Sequence, residues 1–199
     1  DRDTSGVILC AKDEWVHRRI ARQFQRREIT KHYVAIVFGI VEAERFTVEE
    51  PVGRDPDHRE RVRIDAEEGR EAVTEFVVRE RLGGRLRSTD DQRPGRRYRG
   101  GYSLLDCHPK TGRTHQLRVH LQHARHPILA DEWYATDRQT PTWGEFGQEA
   151  PSDAGPTYQR KGANVPPLPT DRRAWPILTR LGLHAASIEF VHPRTEAPL

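Results

Sequence analysis

The densest group of reactive side chains is Pro109-Lys-Thr-Gly-Arg-Thr-His-Gln-Leu-Arg-Val-His-Leu121, where Lys110, Arg113, His115, Gln116, Arg118 and His120 surround a helix start. The free N–H groups at such a start gather anionic groups, and arginines beside it strengthen the pull. A guanidinium also grips a phosphate or carboxylate through two parallel bonds, which an ammonium cannot do. On a helix Arg118 falls one turn beyond Thr114, so it need not follow Leu117 and Leu121 into the core. A plain solvated basic helix fits the same residues, and the spacing alone leaves the choice open.

A second candidate is Asp1-Arg-Asp-Thr-Ser-Gly6. Two acids flanking an arginine can form a charged catalytic loop, or the Asp and Thr side chains can simply bond neighbouring amides. His115, His120, His123 and His126 invite a zinc reading, but no pair has the four-residue spacing with an intervening glutamate, and there is no Cys-x-x-Cys. No metal is expected. Cys10 and Cys107 sit in apolar runs, where a thiol is buried and inert. There is no Gly-x-Ser-x-Gly elbow, and Gly83-Gly84 lacks the Lys-Ser/Thr end of a phosphate loop.

The 199 residues suit one domain of ordinary size. Hydrophobic residues make up 35% and charged residues 32%, polar for a globular chain but not the composition of a disordered one. Bases and acids number 33 and 30, so net charge does not identify a partner. Only Lys12, Lys31, Lys110 and Lys161 are lysines. A GC-rich genome accounts for that arginine excess, and so does selection for phosphate or base recognition. With no methionine, even at position 1, the chain reads as a segment of a longer protein. No apolar run approaches the roughly 20 residues of a membrane span, so no membrane partner is expected. Two cysteines build no disulfide scaffold, which points to a reducing, cytoplasmic setting.

These groups need a frame. Val7–Ala11 reads as a buried strand. Asp13 to Arg27 carries Val16, Ile20 and Phe24 at four-residue spacing with arginines opposite, a helix capped by Asp13. Tyr33–Phe38 is β-branched and aromatic, a core strand closed by Gly39. Pro51 to Gly69 alternates in charge and fits a pair of solvent-facing strands or loops. Val73–Arg79 and Tyr102–Cys107 fit a hairpin, separated by an arginine-rich, glycine-bounded loop at 83–101. Thr114 to Ala124 is a helix with Thr111 or Thr114 as cap, and Leu183–Val191 is a strand. The proline-rich stretch at about 136–175 fits an insertion or a functional loop. Strands outnumber helices and adjoin in sequence, so the fold class is α+β with a mixed, mostly antiparallel sheet flanked by helices.

Taken together, the motifs resemble those of the RluA-type pseudouridine synthases. Asp1-Arg-Asp-Thr-Ser-Gly is similar to the end of that family's His-Arg-Leu-Asp-x-x-Thr-Ser-Gly signature, and Lys31-His-Tyr33-Val-Ala to its Lys-x-Tyr-x-Ala. Thr111-Gly-Arg-Thr-His-Gln-Leu-Arg118-Val-His, His126-Pro-Ile-Leu-Ala-Asp131, and Leu183-His184-Ala185 with His192-Pro193 complete the set in the family's order. Two departures stand out. Ala130 replaces the usual glycine, and the segment 136–175 is longer than the family's link.

The resemblance implies a pseudouridine-synthase-like catalytic domain over 1–199 whose N-terminal strands, with the His-Arg-Leu before Asp1, are missing. It implies Asp1 as catalytic aspartate, Tyr33 packing on the target base and Arg118 as partner of Asp1. Arg2, Thr4, Arg113, His115, Gln116 and Leu183 would bind substrate. The implied reaction isomerises uridine within rRNA or tRNA, needs no cofactor, and is carried out by a monomer. The alternative is a catalytically inactive RNA-binding or ribosome-assembly module using the same basic cleft; intact Asp1, Tyr33 and Arg118 favour the enzyme. A metal-dependent hydrolase ranks third.

Overall fold

The computed structural model describes residues 1–83, 101–135, 140–142, 148–151, 170–174 and 176–198. In chain order its strands and α-helices are β1 (Ser5–Gly6), α1 (Glu14–Gln25), β2 (Thr30–Phe38), β3 (Arg45–Val48), β4 (Val52–Arg54), β5 (Val62–Ile64), β6 (Thr74–Leu82), β7 (Tyr102–Pro109), α2 (Gln116–His123) and β8 (Leu183–Glu189), with a 3-10 turn at Arg172–Ala174 before β8. Six strands form one sheet in the order β1-β8-β2-β7-β6-β3, and β4 pairs with β5 apart from it. Only the β1–β8 pair is parallel within that sheet. The architecture is the α+β class with a mixed, mostly antiparallel sheet.

β2 sits centrally because its apolar run has two faces to bury. Ala35 and Val37 join Phe76, Val78, Leu105 and Cys107 beneath Leu117 and Leu121 of α2. Ile36 and Phe38 turn the other way, against Tyr102, Leu129 and Ile177. Phe76, Leu105 and Leu121 are fully enclosed. Each such side chain contributes about 1.5–3 kcal/mol by leaving water.

α2 is pressed from a second side by the small β4–β5 hairpin, where Val52, Ala72, Val119 and Tyr134 pack with Val62, Ile64 and Trp133. Its two faces therefore lie in two different cores. Gln116, Arg118 and His120, polar as they are, become buried with the rest. Arg118 does not follow Leu117 and Leu121 into the main core, as its spacing allowed, but this second layer buries it all the same. The expected threonine cap is corrected too: the N-cap is His115, in the left-handed region at φ 49°, and no side chain caps it.

α1 follows the local rules more closely. The Asp13 carboxylate accepts from Val16 N at 2.8 Å, and Arg18 donates to Glu14 one turn earlier. Of the apolar stripe, Ile20 is buried while Phe24 remains 45% exposed.

Val7–Ala11 is not a buried strand. The chain leaves the sheet once Val7 N has donated to Ala185 O, and Ile8 stands 81% exposed. Cys10 is likewise exposed, contrary to expectation, whereas Cys107 is buried and its thiol pushed far up by desolvation. Gly6 marks the departure point. Its φ is +109°, and any side chain there would collide with the Ala185 backbone.

The basic loop at 83–101 falls almost wholly outside the described residues, as does most of the proline-rich stretch 136–175. Among the described residues no helix is long and apolar enough to cross a membrane.

Candidate active site

Arg118 is the centre of the site. Its guanidinium is 7% exposed and makes two parallel bonds to Asp131, Nε to Oδ2 and Nη2 to Oδ1, both at 2.8 Å. The Asp131 carboxylate is wholly buried. Oδ1 also accepts from Trp133 N at 3.0 Å and Tyr134 N at 3.1 Å, which fixes the acid to its own turn. The rings of Trp133 and Tyr134 bracket the guanidinium at 5.2 and 5.0 Å. Asp1 approaches from the remaining side, its Oδ2 3.9 Å from Arg118 Nη1 and its side chain 20% exposed. Asp1 is thus the carboxylate that solvent, or a ligand, can reach.

The turn that delivers Asp131 is held against β2. Phe38 N donates to Pro127 O at 3.0 Å, Leu129 N to Ile36 O at 2.9 Å, and His126 Nδ1 lies 2.9 Å from Phe38 O. The chain then turns back toward α2 through Ala130 at φ 56°. In this left-handed region a glycine meets no penalty and an alanine costs about 1–2 kcal/mol, which gives a physical basis for the glycine usual in the resembled motif.

His115 flanks Asp1 on the other side, with Nε2 3.6 Å from Asp1 Oδ1 and a side chain 10% exposed. Its ring lies edge-on to Trp133 and Tyr134. Desolvation first, and then the nearby Arg118 charge, push its pKa down to about 4. At neutral pH it is an uncharged imidazole, which at 3.6 Å lies against Asp1 without an ion pair or a hydrogen bond. Nδ1 lies 3.1 Å from the Tyr134 hydroxyl, which accepts from Val62 N and donates to Val62 O.

Gln116 has a different role from the one expected. Its Oε1 accepts from Thr111 Oγ1 at 2.8 Å and Arg113 N at 2.9 Å, while Nε2 donates to Val73 O and Thr74 Oγ1, both at 3.0 Å. All four bonding positions of the amide are filled, so it braces the 110–115 turn and has none to offer a substrate. Through Thr74 the network reaches His120, whose Nε2 bonds Glu50 O.

Lys31 secures the same turn from β2, with Nζ donating to Thr111 O at 2.9 Å. Burial and the neighbouring Arg113 lower its pKa. Arg113 reaches outward to Glu71 O at 3.0 Å.

Tyr33 is brought to the same region through the sheet. Gly6 is opposite Ala185, and Ala185 is opposite Tyr33, so Tyr33 lies two strands from the end of the Asp1 loop, about 10 Å across the sheet. It packs against the main core and lines a groove with Val7, Ile8, Ile20, Phe24 and Ile188. Burial raises its pKa, which keeps the phenol protonated.

Arg2 is largely exposed, with a loose 3.7 Å approach to Asp3, and the buried hydroxyl of Thr4 has no internal hydrogen-bond partner. Leu183 is not at the surface: it lies 4% exposed in the main core, opposite Ala35. Its inward direction on β8 makes it a support under the site, a correction to its expected contact with substrate. Among the described residues no group of histidines, cysteines and acids could hold a metal.

Asp131, Trp133 and Tyr134 were missed as site residues. The available signal was an acid closing the second of two adjacent motifs, thirteen positions after the arginine it pairs with.

Comparison with known proteins places this geometry in a class. The model of the RNA pseudouridylate synthase family matches residues 1–123, and the chain belongs to that family. It is 34% identical over 201 residues to an uncharacterized RNA pseudouridine synthase of Chlorobaculum parvum, covering 98% of this chain and 50% of that protein. Ribosomal large subunit pseudouridine synthase C of Salmonella typhi is also 34% identical, over 206 residues, covering 100% of this chain and 50% of that one. Ribosomal large subunit pseudouridine synthase D of Borreliella burgdorferi is 37% identical over 134 residues, covering 67% of this chain and 36% of that protein. The chain spans about half the length of the first two. Among solved structures, human RNA pseudouridylate synthase domain containing 1 superposes with a TM-score of 0.64 at 23% identity, covering 100% of this chain and 64% of that one, a likeness of fold.

Proposed function

We propose that the protein isomerises uridine to pseudouridine within structured RNA, with Asp1, Tyr33 and Arg118 as its catalytic residues. The observation that carries this reading is the Asp1 carboxylate, partly open to solvent, beside a buried arginine held by other groups. The reaction breaks the N1–C1′ bond, turns the uracil and rejoins it through C5. A base inside folded RNA must first be flipped into a pocket and held by an aromatic face, the task assigned to Tyr33. Asp1 acts as a carboxylate, as nucleophile or base, with the Arg118 charge 3.9 Å away.

Because burial keeps the Tyr33 phenol protonated, it suits holding the base by its ring and hydroxyl better than removing the C5 proton as phenolate. No electrons change hands and no group leaves the nucleotide, so the chemistry calls for no cofactor. Arg2, Thr4, Arg113 and His115 are the residues assigned to substrate binding, Thr4 through a hydroxyl that is buried in the free protein. The relatives named for the ribosomal large subunit favour rRNA over tRNA as the substrate. A monomer working in the cytoplasm on that RNA, with 1–199 as its catalytic domain, completes the reading.

The test uses the full-length gene product and RNA from cells lacking the gene. Asp1→Asn should abolish pseudouridine formation, read by chemical mapping, while RNA binding persists. Turnover near wild type would overturn the role of Asp1. Tyr33→Phe should bind RNA and turn over more slowly; unchanged turnover would reduce Tyr33 to packing.

A further inference from the structure

Arg118 is divided unequally between two carboxylates. Asp131 holds Nε and Nη2 at 2.8 Å each, in full burial, whereas Asp1 stands 3.9 Å from Nη1, beyond hydrogen-bond length. The tighter partner is itself immobilised, since Trp133 N and Tyr134 N donate to Asp131 Oδ1 and the two rings bracket the guanidinium. Arg118 cannot move toward Asp1 without giving up both the fork and the ring contacts.

We infer that Asp131 is a positioning residue that keeps Arg118 beside Asp1 without letting the two lock into a bidentate pair. The kinetic consequence rests on the isomerase reading above. A carboxylate that must attack carbon or take a proton is a weaker nucleophile and base when an arginine fork engages both its oxygens in charge-assisted bonds. At 3.9 Å the cation faces the charge of Asp1 and leaves its oxygens available.

The variant D131N keeps an oxygen for the Trp133 and Tyr134 amides but removes the charge that holds the guanidinium. In a crystal structure of the full-length variant, Arg118 Nη1 should close on Asp1 to about 2.8 Å. On RNA from cells lacking the gene, kcat should fall about tenfold with KM changed less than about twofold. The acid limb of the pH–rate profile should move lower, because of the groups facing Asp1 the uncharged His115 is unaltered while Arg118 comes closer and a nearby negative charge is lost. D131E, which restores the charge, should return the limb toward wild type.

An unchanged Arg118–Asp1 separation together with an unshifted acid limb overturns the inference, even if kcat falls, since simple loss of support would do only that. If D131N does not fold, D131E decides: Arg118 held on the lengthened carboxylate, with Asp1 still near 3.9 Å and the wild-type limb, supports the inference, whereas Arg118 closed on Asp1 at wild-type kcat overturns it. If the wild-type protein makes no pseudouridine, the isomerase reading fails and the crystallographic separation alone decides.

Discussion

Helices α1 and α2 are built on opposite terms. α1 is capped by an aspartate, carries an acid in its first turn, pairs Glu14 with Arg18, and leaves most of its surface in water. α2 begins on a left-handed histidine, has no side-chain cap, and buries six consecutive residues, three of them polar. The first is held by local chemistry, the second by what surrounds it. Local rules are broken where a segment carries function, because tertiary contacts must over-determine a conformation that the chain alone disfavours. In α2 the His115 side chain caps no amide of its own helix and lies instead 3.6 Å from Asp1.

That contrast can be tested. The largest difference in stability is expected between Leu121→Ala, about 2–5 kcal/mol destabilising because a fully enclosed side chain leaves a cavity, and Phe24→Ala, under about 1 kcal/mol because half the ring is already in water. Urea unfolding measures both; equal losses would dissolve the distinction between the helices.

Next comes pH. The His115 pKa of about 4 in the folded protein lies below its ordinary 6.5, so between these values the unfolded chain binds the extra proton. Stability is therefore full above pH 6.5 and falls on acidification toward pH 4, by about 1–3 kcal/mol from this group. His115→Gln should flatten that slope in a pH series of unfolding curves, leaving the share due to His108 and His120, whose pKa values burial also lowers. An unaltered slope would mean that His115 is not the group resisting protonation.

The smallest effect belongs to α1. Removing its cap with Asp13→Ala, which also loses the 2.8 Å bond from Arg194, should lower the thermal midpoint by roughly a few degrees and leave the proposed pseudouridine formation untouched.

Legibility followed the same division. Asp13 was readable as a cap because the bond spans three residues, and β2 because a β-branched, aromatic run has few other uses. The hairpin β6–β7 was readable from alternation; of β4–β5 the strand pair was readable, but its expected solvent-facing character is corrected, since Val52, Val62 and Ile64 pack against α2. Val7–Ala11 misled because apolar composition signals burial only when something covers it, and here Val7 and Ile8 line an open groove. Gln116 misled for the reverse reason. A polar residue in a reactive stretch suggests a ligand, but its amide is consumed by Thr111, Arg113, Val73 and Thr74.

Residue types and their order were enough to establish the α+β class, the family, and Asp1, Tyr33 and Arg118 as the residues to examine. These depend on short-range spacing and on which side chains can carry a charge or a ring. Only the tertiary structure decided that Arg118 is buried, that Asp131 and not Asp1 is its tight partner, and that His115 stays neutral beside them. A second packing layer on α2 removed water from these groups, and the strength and pairing of charges depend on that removal, which no local stretch of sequence records.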